Sequence, residues 1–181
     1  MKKKIGLAII GTGNIAKFHA NCIRKIKNST LEGVYSRSGR INDELIKEFG
    51  CKIFDNIDKL LEVDGIDLVC VCNESGLHGE TIKKIAMAGK NVLCEKPLET
   101  SIEKIADISQ VAKSSGIKIG CVFQNRQNPE YQKLKNYINS GVLGKLLLCQ
   151  TSINWYRPPS YYNQTWRGSL YLDGGAAFIN Q

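Results

Sequence analysis

Short apolar runs alternate with segments of helical spacing from the start of the chain to about residue 122. Apolar runs bounded by Gly, Asn or Asp are typical of buried strands. The pattern predicts six strands, at Ile5–Ile10, Leu31–Tyr35, Cys51–Phe54, Asp67–Cys72, Asn91–Cys94 and Ile117–Val122.

Helices are predicted between these strands. In Asn14–Ile26, the residues Ile15, Phe18, Cys22 and Ile26 recur at helical spacing. Glycine is common just after a helix, and Ser is a favoured N-cap, which marks Gly50, Gly89 and Ser101 as helix boundaries. Strands that alternate with helices indicate an α/β fold with a doubly wound parallel sheet. The remaining predicted helices are Asn42–Phe49, Asp55–Leu61, Gly79–Ala88 and Ser101–Ser115.

The pattern changes at about residue 123. A helix is predicted at Asn128–Asn139, a strand at Gly144–Ile153 and an aromatic loop at Asn154–Leu172, after which Asp173-Gly174-Gly175 is the expected entry to a last helix. These elements are too few to close a hydrophobic core of their own. We therefore expect one complete domain over residues 1–122 and an incomplete second one over residues 123–181.

Composition and charge indicate which class of partner the protein binds. The chain has 181 residues, of which 43% are hydrophobic and 23% charged, as is usual for a globular protein. The net charge of +8 fits an anionic small molecule, and nucleic acid is not expected because no basic stripe with interleaved aromatic residues occurs. The apolar runs are too short to span a membrane, and the segment after Lys2-Lys3-Lys4 lacks a signal-peptide cleavage site.

The chain has seven cysteines. Their number is odd and no CxxC pair occurs, so neither a disulfide framework nor a metal site is expected. Cys70 and Cys72 lie two residues apart in a predicted strand and should point to one face of the sheet. Reduced core thiols predict a cytoplasmic protein.

A glycine-rich turn follows the first strand. In Gly11-Thr12-Gly13-Asn14-Ile15-Ala16, Gly11 permits the tight turn and Gly13 lets the backbone approach a pyrophosphate. Ala16 allows close packing of helix on strand, and the helix N-terminus stabilises the anion. In this context the turn predicts dinucleotide binding, whereas the alternative is a glycine-rich turn without a ligand.

The second strand ends without the acidic residue that binds the ribose hydroxyls of NAD. Tyr35 is followed instead by Ser36, Arg37 and Ser38, which can bind a 2′-phosphate. The sequence therefore favours NADP over NAD. The alternative is that Arg37 stacks on adenine and either cofactor binds.

Lys96 lies at the carboxyl end of a predicted strand, between Glu95 and Pro97. Ligands of open α/β sheets bind at that edge, so Lys96 can hydrogen-bond a substrate hydroxyl and stabilise the developing alkoxide. Glu95 is expected to hold Lys96 in place.

Ser75 and His78 follow the preceding strand on the side expected for the nicotinamide. A histidine at a helix start, however, is more often a cap or packing residue.

Together these motifs resemble the Gfo/Idh/MocA oxidoreductases. The resemblance rests on the glycine-rich turn, on Gly76-Leu77-His78, on the run from Gly89 to Leu98 that contains Glu95-Lys96-Pro97, and on Gln124-Asn125-Arg126. Later segments, among them Trp166-Arg167-Gly168 and Asp173-Gly174-Gly175, look like the branch typified by UDP-N-acetylglucosaminuronate 3-dehydrogenases.

The resemblance implies an NAD(P)-binding Rossmann domain followed by an α/β substrate domain, whose open sheet often serves oligomerisation. Only the beginning of that second domain is expected in this sequence. It implies hydride transfer between a ring carbon of a sugar or UDP-sugar and nicotinamide, in a homo-oligomer. Lys96 is the implied catalytic residue, and it lines the substrate site with Arg167 and Asn180. The candidate cofactor-binding residues are Gly11, Thr12, Gly13, Asn14, Ile15, Ser36, Arg37, Ser75, His78, Glu95, Lys96 and Gln124.

The chain departs from the family pattern in three places. Glu74 replaces a proline common after the fourth strand, and the acidic residue after the second strand is missing. The family's catalytic histidine lies a few residues beyond Asn180-Gln181, where this sequence ends. We therefore expect an N-terminal fragment with little dehydrogenase activity, and the alternative is a non-catalytic NAD(P)-binding regulatory module.

Overall fold

A computed structural model describes residues 4–37, 39, 49–163, 166–175 and 179. Six strands form one parallel sheet in the order β3-β2-β1-β4-β5-β6. The predicted doubly wound sheet is confirmed, with strand ends that shift by one or two residues. The strands are β1 Ile5–Ile10, β2 Ser29–Tyr35, β3 Lys52–Phe54, β4 Ile66–Val71, β5 Asn91–Cys94 and β6 Ile119–Cys121.

The helices that pack on this sheet are α1 Asn14–Lys25, α2 Ile57–Leu61, α3 His78–Met87 and α4 Ile102–Ser115. Ser101 caps α4 as predicted, since its hydroxyl accepts from the Lys104 N–H. A 3₁₀ turn at Ser75–Leu77 leads into α3. The predicted helix Asn42–Phe49 lies outside the described residues except for Phe49, which is helical.

The sheet separates two hydrophobic clusters because alternate residues of a strand face opposite sides. Leu7 and Ile9 of β1 join one cluster with α1, and Ala8 and Ile10 join the other with α2, α3 and α4. Cys70 and Cys72 lie together in the α1 cluster, as expected. Desolvation, followed by the charge of Glu95, raises the pKa of the Cys70 thiol to about 12, so this cysteine is a core thiol rather than a nucleophile.

The apolar stripe that predicts α1 is not the face that α1 buries. The helix packs on the sheet through Ala16, Ala20 and Ile23, whereas Phe18 and Ile26 are exposed. Small side chains allow the helix axis to approach the strands closely, and the bulkier stripe is left on the outer side.

Beyond β6, a 3₁₀ turn at Gln124–Gln127 is followed, in the described part of the chain, by the helices α5 Pro129–Asn139, α6 Pro159–Tyr162 and α7 Leu170–Asp173. The predicted helix Asn128–Asn139 is confirmed, with Asn128 as its N-cap. The predicted strand Gly144–Ile153 is wrong, because this segment is exposed and pairs with no strand among the described residues. The predicted loop Asn154–Leu172 contains α6 and most of α7, and Gly174 ends α7.

Candidate functional site

The turn between β1 and α1 requires glycine at its first position. Gly11 has φ 108°, and a Cβ on it would lie 2.6 Å from the Cys72 carbonyl oxygen. The Gly11 N–H donates to the Tyr35 carbonyl at 2.9 Å. The ends of β1, β2 and β4 are therefore drawn together at one point of the sheet edge.

Gly13 serves a different purpose. It is the N-cap of α1 with φ −76°, and a Cβ on it would meet nothing within 4 Å. In the described chain no side chain caps α1, and its first turn carries no acidic residue. The positive end of the helix therefore faces open space, as a bound phosphate requires.

A cleft of about 510 Å³ lies over this turn at the carboxyl edge of the sheet. Its floor is the glycine-rich turn, one wall is the end of β2, and the other wall is the end of β4 with the start of α3. The residues that line it are Ile10, Gly11, Thr12, Gly13, Asn14, Tyr35, Ser36, Arg37, Ile57, Cys72, Asn73, Glu74, Leu77, Glu80, Thr81, Lys84, Trp166 and Arg167.

The β2 wall holds two of the predicted cofactor residues. Ser36 is buried, and its Oγ lies 3.3 Å from the Thr12 Oγ1. The Arg37 side chain is 62% exposed, and its Nη2 lies 2.6 Å from the Glu74 Oε1. Arg37 follows β2, where the family's acidic residue is missing, and Glu74 replaces the family's proline after β4. The residues at these two departures therefore form an ion pair.

The β4 wall presents an unpaired polar atom. The Asn73 Nδ2 donates to the Thr81 Oγ1 at 3.0 Å, whereas the buried Asn73 Oδ1 has no hydrogen-bond partner within the described part of the chain. A buried acceptor without a donor is costly. Because Asn73 lines the cleft, a donor group of a ligand bound there would satisfy this atom.

Lys96 follows β5 and is half-buried. Because β5 pairs with β4, with Cys94 opposite Val71, Lys96 lies at the same sheet edge as the cleft, although it is not among the residues that line it. The Glu95 carboxylate beside it is buried. It accepts from the His19 Nε2 at 2.8 Å and from the Lys96 backbone N–H at 3.2 Å, which ties α1 to the strand end that carries Lys96.

Ser75 and His78 are also buried, but neither lines the cleft. The His78 Nδ1 lies 2.8 Å from the Pro97 carbonyl oxygen and its Nε2 lies 3.2 Å from the Asn73 carbonyl oxygen. The ring therefore bridges the segments after β4 and β5. This placement is that of a packing residue, the more common role of a histidine at a helix start.

Trp166 and Arg167 reach the cleft from the far end of the chain. The Arg167 guanidinium lies 4.2 Å from the centre of the Tyr161 ring and 4.6 Å from that of Trp166, and it donates to the Tyr161 hydroxyl. The segment is anchored where Gly76 meets the Tyr171 carbonyl, only 2.0 Å from where a Cβ would lie.

The remaining predicted residues lie elsewhere. Ile15 is exposed on α1, and Gln124 is exposed in the turn after β6. Asn180 lies outside the described residues. Sequence reasoning missed Asn73, Lys84 and Trp166 as cleft residues. Only Asn73 had a usable signal, since it follows a strand that ends beside the glycine-rich turn.

The chain is similar to known oxidoreductases. The family described as "Oxidoreductase family, NAD-binding Rossmann fold" (GFO_IDH_MocA) matches residues 5–123. Glucose-6-phosphate 3-dehydrogenase of Bacillus subtilis is 34% identical over 145 residues, which are 80% of this chain and 40% of that protein. The myo-inositol 2-dehydrogenase of Thermotoga maritima is 28% identical, over 92% of this chain and 50% of its own length.

Among solved structures, the WlbA dehydrogenase of Bordetella pertussis, in complex with NADH and UDP-GlcNAcA, is similar with a TM-score of 0.90 and 26% identity. The similarity covers 95% of this chain and 50% of that one, so the chain spans about half the length of the relatives it matches. The parallel sheet, the glycine-rich turn and the match over residues 5–123 lead to one conclusion: the chain belongs to the Gfo/Idh/MocA oxidoreductase family, with its NAD-binding Rossmann fold.

Proposed function

We propose that the cleft binds a nicotinamide adenine dinucleotide, and that the protein transfers a hydride between this cofactor and a ring carbon of a sugar or nucleotide sugar. The observation that carries the proposal is the open cleft over Gly13 and the uncapped start of α1, with Lys96 at the neighbouring strand end. The start of α1 would hold the pyrophosphate, and the Asn73 Oδ1 would accept from a ribose hydroxyl.

Bound in this cleft, the nicotinamide would supply the hydride acceptor or donor. Lys96 acts on the other half of the reaction: it hydrogen-bonds the substrate hydroxyl, and it takes that proton when the C–H bond breaks and the carbonyl forms. Glu95 and His19 position Lys96 through its backbone N–H, because their hydrogen bond fixes the strand end against α1.

We further propose that the cleft favours NADP over NAD. Ser36 and Arg37 end β2, where the ribose of the adenosine is expected to lie. A guanidinium pairs well with a phosphate, and no acidic residue takes the ribose hydroxyls at this strand end.

The proposed substrate is an anionic sugar such as a UDP-sugar. The protein carries a net charge of +8, and several similar proteins act on sugars, sugar phosphates or inositols according to their names. Arg167, Lys96 and Asn180 are the proposed substrate contacts, and the active protein is proposed to be a homo-oligomer.

Fluorescence titration of the 181-residue chain with NADPH and NADH tests the cofactor proposal. We expect saturable enhancement with both, and Arg37→Gln should weaken NADPH binding by about tenfold while NADH binding changes little. A chain that shows saturable binding of neither NADPH nor NADH would contradict the proposed function.

Lys96→Met separates binding from chemistry. We expect the variant to retain NADPH binding. For any UDP-sugar that the wild type turns over, the turnover rate of the variant should be lower by at least about a hundredfold. A Lys96→Met chain that keeps the turnover of the wild type would contradict the proposed role of Lys96.

A further inference from the structure

An ion pair crosses the cleft. In the sheet, β1 lies between β2 and β4. Arg37 follows the end of β2 and Glu74 follows the end of β4, yet their side chains meet, with Nη2 and Oε1 at 2.6 Å. The contact therefore passes over the carboxyl end of β1, where the glycine-rich turn forms the floor of the cleft.

The pair also connects two cleft walls that are far apart in sequence. Both residues line the cleft, and the Glu74 side chain is 23% exposed, against 62% for Arg37. Glu74 is thus the more fixed partner, and Arg37 is the one that can turn towards a ligand. Among the described residues, the other charged residues of the cleft are Glu80, Lys84 and Arg167.

We propose that Glu74 is a specificity-determining residue, which competes with the 2′-phosphate of NADP for the Arg37 guanidinium. The proposal rests on the proposed binding of a dinucleotide in this cleft. Arg37 alone would favour the phosphorylated cofactor strongly. Glu74 moderates that preference, so that the chain accepts NAD as well as NADP.

The physical reason is that a phosphate cannot join this contact without cost. A phosphate that binds the Arg37 guanidinium must displace the Glu74 carboxylate, so the ion pair is lost when NADP binds. NAD carries an uncharged hydroxyl at the same position, and it binds while the ion pair stays intact. Glu74 therefore changes the ratio of the affinities for NADP and NAD, because it acts only where the two cofactors differ.

The test substitutes the carboxylate by an amide of the same shape. For Glu74→Gln in the full 181-residue chain, isothermal titration calorimetry should show NADPH binding tightened about fivefold and NADH binding changed by less than about twofold. In the Arg37→Gln background, the same Glu74→Gln substitution should no longer tighten NADPH binding. The two substitutions are thus expected to be non-additive.

Glu80→Gln is the matched control, because Glu80 lines the same cleft without an ion pair to Arg37. It should leave the ratio of NADPH to NADH affinity within about twofold of the wild type. An equal gain from Glu80→Gln, or a gain from Glu74→Gln that persists without Arg37, would show a general charge effect and would overturn the proposal.

The outcomes separate this inference from the proposed function. If the wild type binds neither cofactor, the proposed function fails and the inference fails with it. If both cofactors bind and Glu74→Gln leaves their ratio unchanged, only the role of Glu74 is wrong.

Discussion

Gly11 and Gly13 illustrate, at the scale of single residues, two different reasons for glycine in one turn. Gly11 is required by the backbone itself, since its φ is positive and a Cβ would overlap the Cys72 carbonyl group. Gly13 has an ordinary φ and open space around the position of a Cβ. Folding therefore depends on the first glycine and ligand approach on the second.

This contrast yields a prediction for a pair of alanine variants. Gly11→Ala should lower the free energy of unfolding by about 2 kcal/mol or more, because strain at positive φ adds to the overlap. Gly13→Ala should keep the wild-type stability and weaken NADPH binding by at least about tenfold. Thermal denaturation and fluorescence titration of both variants provide the check, and tight NADPH binding by Gly13→Ala would contradict the expected position of the pyrophosphate.

The sequence shows the glycine-rich turn but not its surroundings. Gly11 and Gly13 are recognisable because a short motif between a strand and a helix has local meaning. The Arg37–Glu74 contact and the entry of Trp166 into the cleft depend on which segments meet in space. No local pattern marks such contacts, so Asn73 and Lys84 of the cleft walls were missed, whereas the residues of the turn and Ser36 and Arg37 of the β2 wall were predicted.

At the scale of elements, Glu99 holds the start of α3 against the segment after β5. Its buried carboxylate accepts from the N–H groups of Gly79 and Thr100 at 2.9 and 2.7 Å, and Lys104 lies 3.4 Å away. Desolvation raises the pKa of the Glu99 carboxyl, but the hydrogen bonds from Thr100 and Gly79 and the charge of Lys104 together outweigh it. The pKa lies below its ordinary value.

A pH dependence of stability follows from this lowered pKa. The Glu99 carboxylate contributes stability above the unfolded-state pKa of about 4.5, and this contribution is lost as the pH falls through the lower folded-state pKa. Glu99→Gln should therefore cost about 2 kcal/mol at pH 7, and the difference from the wild type should shrink below pH 4.5. Urea denaturation at several pH values measures it. Glu62→Gln is the control, since Glu62 is exposed, and an unchanged stability of Glu99→Gln at pH 7 would contradict the assigned role.

Helices and strands were predictable from the sequence where local signals such as caps define them, or where the pattern of apolar residues is strong. The strands of the sheet are apolar runs with turn signals at both ends, and α5 carries Asn128 as a cap and Pro129 in its first turn. The segment Gly144–Ile153 has a strand-like composition, but a strand exists only when a neighbour supplies hydrogen bonds. The apolar stripe of α1 marked a helix without showing which face packs inward.

At the scale of the whole molecule, the two parts of the chain differ in burial. The sheet and its helices enclose the core, whereas the apolar residues of the segment after β6 are largely exposed. Leu147 and Leu148 are 86% and 84% exposed. Adjacent exposed leucines of this kind mark an interaction surface.

We expect this surface to make the 181-residue chain self-associate. The double substitution of Leu147→Gln and Leu148→Gln should shift the chain towards the monomer in light scattering, since it removes most of the apolar side-chain area at that point. Met87→Gln is the matched control, because Met87 is 89% exposed on α3, away from this segment. A wild-type chain that stays monomeric at high concentration would contradict the expectation.

The entry of Trp166 and Arg167 into the cleft has a consequence for how the protein is made. The floor of the cleft is encoded at the very start of the chain, but this wall is not synthesised until more than a hundred residues later. During translation the Rossmann sheet can therefore form with its cleft still open on one side. We expect full affinity for the proposed dinucleotide only once the segment around Tyr171 has emerged and docked on Gly76.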